Sequence, residues 1–380
     1  MSQHGWKRLC VSRWSGSMSE WHYRRLGDVV ELRRGFDLPA RLRVGGPFPV
    51  LSAGATAGWH DQGPVKGPGF VIGRATNLGQ PTWSDIDFWP LNTTLYAADF
   101  KGNSPRFLFH LFEFTDLAGF DSGSVQPMLN RNYIADVPVL IPSLSTQCAI
   151  AEVLGALDDK IAANERVVVV GEQLVQELVG RVGDRVALEE LATRSKQSTK
   201  PDPAEHVTHF SLPAFDDGQS PSSERGEDIK SSKFLLNSPC VLMSKLNPRI
   251  SRVWNVSELP EGTCIASTEF VVLVPQVVST HALWATLTHP RVRDELMGRV
   301  AGTSGSHQRV KPEEILALDV TDVRSLSDTS RDQVDAVGAL GHQLRVESRT
   351  LAQTRDQLLP LLMSGKVTIK EAENEIADLV

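Results

Sequence analysis

Apolar residues recur along two stretches of this chain in steps of four and three, and the second stretch repeats the first 183 positions later. The first stripe runs Ile150, Leu154, Leu157, Ile161, Val168, Val175 and Leu178, with Asn164 and Gly171 in its gaps. The second runs Val337, Leu340, Leu344, Leu351, Leu358 and Leu361, with Glu347 and Thr354 in the gaps. Even the triplet Gly155-Ala156-Leu157 returns, as Gly338-Ala339-Leu340. Alternating steps of four and three lay a narrow seam along one face of a long helix. An ordinary amphipathic helix accounts for either stripe alone, but not for their common phase, length and polar gaps. The pattern predicts two helices of about 35 residues, each roughly 50 Å long at about 1.5 Å per residue. Packed antiparallel, they would relate the two halves of the chain by a pseudo-twofold axis. Asn164 and Glu347, the central polar positions, would then face each other and set the register, as single buried polar residues do in coiled coils.

The segments between the helices read as mixed globular units. Apolar runs such as Gly69–Gly73 and Thr94–Ala97, bounded by Gly, Pro and Asn, predict strands, and Pro105–Phe114 predicts a helix with Phe107, Leu108, Leu111 and Phe112 on one face. Val241–Lys245 answers Phe70–Arg74, Val186–Leu191 answers Arg25–Val30, and Gly305-Ser306-x-Gln308 answers Gly123-Ser124-x-Gln126. Ser143 or Ser145, and Ser325 or Ser327, are positioned to cap the long helices. The expected order is an N-terminal extension (1–17), a first globular domain (18–143), a spacer helix (144–182), a second globular domain (183–326), a second spacer helix (327–364) and an acidic tail (365–380). Residues 1–17 precede the patterned segment and are expected to be disordered. The Pro-, Ser- and acid-rich stretch 199–232 is expected to hold exposed loops. The fold class is α+β: two mixed α/β domains separated by two long antiparallel coiled-coil helices.

Composition narrows the function more by exclusion than by assertion. A length of 380 residues accommodates two cores. Cys10, Cys148, Cys240 and Cys264 show no paired spacing, which argues against a zinc site or disulfide framework and for a reducing, cytoplasmic setting. No apolar run approaches the roughly 20 residues of a membrane span. The net charge of −7 disfavours a uniformly basic nucleic-acid binder, yet Arg24-Arg25, Arg33-Arg34, Arg41 and Arg43 concentrate positive charge near the start. No phosphate loop, HExxH or nucleophile elbow is present. Pro201-Asp202 followed by Asp228-Ile229-Lys230 satisfies a loose metal-nuclease pattern, but polar surroundings supply no strand to hold it, and chance is the better explanation. Two similar modules on a rigid spacer fit a bipartite ligand such as duplex DNA, whose grooves repeat about every 34–36 Å.

Several segments sharpen this. Gln147–Ile161, Val71–Gly79, Gly123-Ser124-x-Gln126-x-x-Leu129-Asn130 and Leu361–Val367 together resemble the specificity subunit of type I restriction–modification systems, over nearly everything from Glu20 to Val380. The run Val167–Val170 before Gly171 departs from that family's spacer in being a poor helix former. The resemblance implies a non-enzymatic, phage-defence subunit in which each target-recognition domain reads half of a bipartite double-stranded DNA target. The helix pair would set the gap and dock two methyltransferase subunits. S-adenosylmethionine, ATP and magnesium would belong to those methyltransferases and to restriction/translocase subunits, not to this chain. The alternatives are a modification-only or other defence assembly, and a coiled-coil protein scaffold without a DNA role.

The candidate DNA-reading residues follow strands or lead back into the helices. They are Arg74, Thr76, Asn77, Ser124, Gln126, Asn130 and Arg131 in the first domain, and Lys245, Asn247, Arg249, Arg252, Ser306, Gln308, Arg309 and Lys311 in the second. Arg and Lys suit phosphate or guanine, while Asn and Gln suit adenine.

Overall fold

A computed structural model describes residues 21–117, 119–120, 128–299 and 308–377. The chain divides into two compact units, Met1–Ile161 with Thr350–Val380, and Ala162–Arg349. This division cuts across the linear order of domains and helices, because each long helix contributes one end to each unit. The expectation for residues 1–17 lies outside the described residues.

The first unit contains β1 (His22–Arg25), β2 (Glu31–Arg34), β3 (Phe48–Ser52), β4 (Ala55–His60), β5 (Gly69–Gly73), β6 (Pro81–Ser84), β7 (Trp89–Pro90), β8 (Thr94–Asp99) and β9 (Pro138–Ile141). β1 pairs with β9, and an antiparallel sheet has the order β2-β8-β5-β6. A smaller sheet, β4-β3-β7, joins β3 to β7 in parallel. The unbroken apolar run of β5 reflects burial on both faces. Phe70 and Ile72 enter the main core, while Val71 packs with Leu51 and Phe88 on the other side. Ser104 caps the helix Pro105–Phe114 by accepting the Phe107 amide, and Pro105 occupies its first turn.

The second unit contains β10 (Arg185–Ala187), β11 (Ala192–Ser195), β12 (Ser198–Thr199), β13 (His206–Phe210), β14 (Ser222–Arg225), β15 (Lys233–Leu236), β16 (Cys240–Ser244), β17 (Val253–Val256), β18 (Thr263–Ala266), β19 (Phe270–Pro275) and β20 (Asp319–Thr321). β10 pairs with β20, and the antiparallel order β11-β19-β16-β17 reproduces β2-β8-β5-β6 strand for strand. β16 divides its side chains as β5 does: Val241 and Met243 face one cluster, and Cys240 and Leu242 face another around Trp254. The remaining sheet is larger, β12-β15-β18-β13-β14, again with one parallel pair, β13 with β18. The stretch 199–232 holds strands as well as loops. Val207 and Phe210 bury their side chains, which draws β13 and β14 into that sheet despite their polar flanks.

The long helices span Leu144–Gly180 and Asp328–Met363. Ser143 and Ser327 cap them by accepting the amides of Thr146 and Ser330. In the first unit Ile150, Leu154 and Leu157 share a core with Leu351, Leu358 and Leu362. Asp158 there accepts Arg106 at 3.0 Å and Arg355 at 2.9 Å, so one carboxylate ties the helix Pro105–Phe114 to both long helices. In the second unit Val175, Leu178, Val334 and Val337 join the core of that unit. The buried Asn164 amide donates to Glu347 Oε2 at 2.8 Å, and Arg345 pairs with Glu172. Residues 365–380, expected as a tail, contain instead the helix Ile369–Ala377, whose Ala372 is buried in the first unit's core. A capping box begins it: Thr368 Oγ1 accepts the Glu371 amide, and Glu371 Oε2 accepts the Thr368 amide.

Two glycines of the second long helix have opposite packing. An ideal Cβ on Gly338 would fall 2.3 Å from His281 Nδ1, whereas on Gly341 its nearest neighbour would be the tip of Arg345, at 3.4 Å. Gly338→Ala is therefore expected to cost about 1–3 kcal/mol through overpacking. Gly341→Ala should instead add up to about 1 kcal/mol from helix propensity. Urea melts of the two variants check this, and equal shifts would contradict the packing account.

Candidate nucleic-acid interface

At the end of β5 the backbone of Arg74 is held on both sides. Its amide donates to Thr93 O at 2.9 Å, and its carbonyl accepts the Leu129 amide at 2.8 Å. The second bond brings Asn130 and Arg131 beside Arg74, while β2 delivers Arg34 to the same place. A cavity of about 370 Å³ results, lined by Arg34, Arg74, Leu95, Met128, Leu129, Asn130 and Arg131. Arg34, Arg74 and Arg131 form no ion pair among the described residues. Guanidinium groups keep their charge at any ordinary pH. Three of them around one opening make a site for an anion or an acceptor-rich base edge.

The other first-domain candidates divide. Asn130 spends its side-chain oxygen on the Asn132 amide, capping the short helix Arg131–Ile134. Asn77 adopts a left-handed backbone, and its side chain donates to Ala53 O at 3.1 Å, so it shapes the loop. The neighbouring turn is tight: a Cβ on Gly73 would fall 2.1 Å from Asn77 O and 2.4 Å from Thr76 O. Thr76 is exposed on this turn. Ser124 and Gln126 lie outside the described residues.

The second unit repeats the scaffold with other side chains. Beyond β16 the Lys245 amide donates to Glu269 O, and its carbonyl accepts the Val310 amide, both at 3.0 Å. Asn247 again has a left-handed backbone, and its amide donates to Gln308 O at 2.9 Å. Lys245, Asn247, Gln308 and Arg309 are thereby gathered, with exposed Lys311 at the start of the helix Pro312–Leu316. Arg249 is exposed nearby in sequence. Arg309 makes two hydrogen bonds to Glu269, at 2.9 and 3.2 Å. Arg252 is committed elsewhere: it holds Asp216 through two bonds of 2.7 and 2.8 Å, and Asp216 raises its already high pKa. Ser306 lies outside the described residues.

Two residues of these sites, Arg34 and Glu269, were not among the candidates. The Arg33-Arg34 pair signalled positive charge but not which arginine points to the site; Arg33 is taken up by Glu31 at 2.8 Å. Glu269 carries no sequence signal, since only strand pairing sets it beside Arg309, 40 positions away. The nuclease-like pattern is absorbed into loop structure: Asp202 accepts the Ala204 amide, and Lys230 donates to Glu227 O.

Residues 18–168 match the model of the family of type I restriction modification DNA specificity domains. No curated protein matches the chain. Among solved structures, it is similar to the type I restriction–modification system S subunit from M. genitalium. Identity is 11%, the TM-score is 0.61, and 92% of this chain and 98% of that chain are covered. That likeness shows a shared fold. The HsdS subunit from Thermoanaerobacter tengcongensis is 15% identical over 91% of this chain and 95% of that one, with a TM-score of 0.30. No helix among the described residues is long and apolar enough to cross a membrane.

The two arginine settings predict different mutant behaviour. Arg252→Ala should lower stability by about 1 kcal/mol, the scale of a partly exposed bidentate pair, with little change in DNA affinity. Arg74→Ala should do the reverse. Paired melting and duplex-binding measurements check the contrast, and a large affinity loss in Arg252→Ala would return that residue to the DNA-reading set.

Proposed function

We propose that the chain is the non-catalytic DNA-specificity subunit of a type I restriction–modification complex. The observation that carries this reading is the three-arginine pocket, which lies inside the segment that matches the DNA specificity family. Arg34, Arg74 and Arg131 would take phosphates or guanine edges of one half-site. The second unit repeats the sheet order and the backbone bonds at the strand end, which supports a second reader with its own sequence preference.

In this reading the long helices form an antiparallel coiled coil with pseudo-twofold symmetry that sets the gap between half-sites. The Asn164–Glu347 bond would fix its register. Val167, Val169, Val170 and Leu340 are exposed apolar residues on these helices within the second unit, and they supply surface for methyltransferase docking. S-adenosylmethionine would be bound by those partners, and ATP and magnesium by restriction/translocase subunits. A modification-only assembly would need the same features of this chain.

Co-expression with a candidate methyltransferase subunit, followed by genome-wide mapping of methylated bases, tests the reading. The expected mark is a split motif, two short defined halves around a fixed unspecified gap. An active complex that leaves no such mark would favour the protein-scaffold alternative. Replacing Arg34, Arg74 and Arg131 together by alanine should flatten the salt dependence of DNA binding by about 0.9 in log–log slope for each phosphate no longer neutralised. Exchanging both Asn164 and Glu347 for leucine should raise the melting temperature while broadening the distribution of gap lengths. A single unchanged gap in that variant would remove the register role.

A further inference from the structure

The two reading sites share a backbone frame, so their side chains can be matched through its hydrogen bonds. The amide after β5 bonds to Thr93 O and the amide after β16 to Glu269 O; the carbonyls of the same residues receive Leu129 and Val310. Glu269 thus stands where the first domain has Thr93, and Arg309 where it has Met128. In the first domain these positions carry a hydroxyl and a thioether beside an all-positive pocket. In the second they carry a carboxylate and a guanidinium joined to each other.

The geometry of that pair is informative. Glu269 engages Arg309 side-on, through Nε and Nη2. The end-on edge, formed by Nη1 and the second Nη2 hydrogen, makes no hydrogen bond among the described residues. The Arg309 side chain is 58% exposed, whereas that of Glu269 is 26% exposed. A guanidinium held along one edge by a carboxylate has less rotamer freedom to lose on binding. Its open edge offers two parallel N–H donors, which match guanine O6 and N7 in the major groove. The carboxylate also cancels one positive charge, so the pair is poorly suited to a phosphate, whose attraction rests on net charge.

We infer that Arg309 is the guanine-reading side chain of the second domain and that Glu269 is its positioning residue. The assignment rests on the DNA-specificity reading above and deepens it. The two domains then differ in kind: the first grips with arginines that form no ion pair among the described residues, and the second reads with a neutralised, oriented arginine.

Motif mapping by methylation in the assembled complex tests this with four forms: wild type, Arg309→Ala, Glu269→Gln, and the swap Arg309→Glu with Glu269→Arg. The wild-type motif should contain a fixed guanine in one half. Arg309→Ala should relax that position alone, reducing discrimination there by about 5- to 150-fold, the range of one bidentate base contact. Glu269→Gln should weaken the preference for guanine while keeping it the favoured base. The swap should recover the melting temperature of the wild type, since the surface pair is restored, but not the guanine. Wild-type methylation of the same motif by the swap, or an unaltered motif in Arg309→Ala, would reduce the pair to a surface ion pair and overturn the assignment. A relaxed guanine position would be separable from misfolding because the other half of the motif stays intact. A wild-type complex that marks no split motif would instead defeat the DNA-specificity reading, and the assignment with it.

Discussion

The structure depends on a constraint that neither unit meets alone: each long helix must bury its apolar stripe in two different cores. The first helix gives Ile150, Leu154 and Leu157 to one core and Val175, Leu178 and Val179 to the other. The second gives Leu351, Leu358 and Leu362 to the first core and Val334 to the second. Burial of side chains of this size is worth roughly 1.5–3 kcal/mol each, so the helices are fixed at their ends by packing rather than by intrinsic propensity. This explains why the first helix runs unbroken through Val167–Val170 and Gly171, which favour helix poorly. Between the packed ends the polar groups are specific in their bonding: Asn164 with Glu347 and Ser348, and Arg345 with Glu172.

A common scaffold carries unlike chemistry in the two units. The four-stranded sheets have the same order, the strands β5 and β16 are buried on both faces, and both are followed by a left-handed asparagine, Asn77 or Asn247. These features fix the backbone, which leaves side chains on the connecting segments free to differ. The larger second sheet and the commitment of Arg252 to Asp216 show that divergence extends to the support of the loops as well.

Much of the fold was legible because it rests on local pattern. β5, β16, the helix Pro105–Phe114 and both long helices follow from apolar periodicity and from Ser caps, which report nearest-neighbour physics. The pairing of Asn164 with Glu347 was expected from their equivalent central places in the two stripes, and the two side chains are hydrogen-bonded. Elements stabilised by distant partners were not. β13 and β14 sit in a polar stretch and owe their order to pairing and to the burial of Val207 and Phe210, and the terminal helix leans on a core built largely from the opposite end of the chain. The same limit applies to the sites. Arg74 and Lys245 stood out as charge following a strand and Arg131 as charge in a polar loop, whereas Arg34, the Glu269 partner and the engagement of Arg252 depend on pairings between residues tens of positions apart.

The discontinuity of the first unit has a consequence for how the protein is made. The second unit is one uninterrupted segment, Ala162–Arg349, whereas the first needs residues beyond Thr350 to close its core. During translation the segment that emerges first therefore lacks part of its core until Leu351, Leu358, Leu362 and the Ile369–Ala377 helix leave the ribosome. Domains normally complete themselves in the order of synthesis; here all residues of the second unit are synthesised before the last residues of the first. A nascent chain halted before its final turns would present one closed core and one open hydrophobic face, so a premature stop near the end would damage the half of the molecule encoded at the beginning.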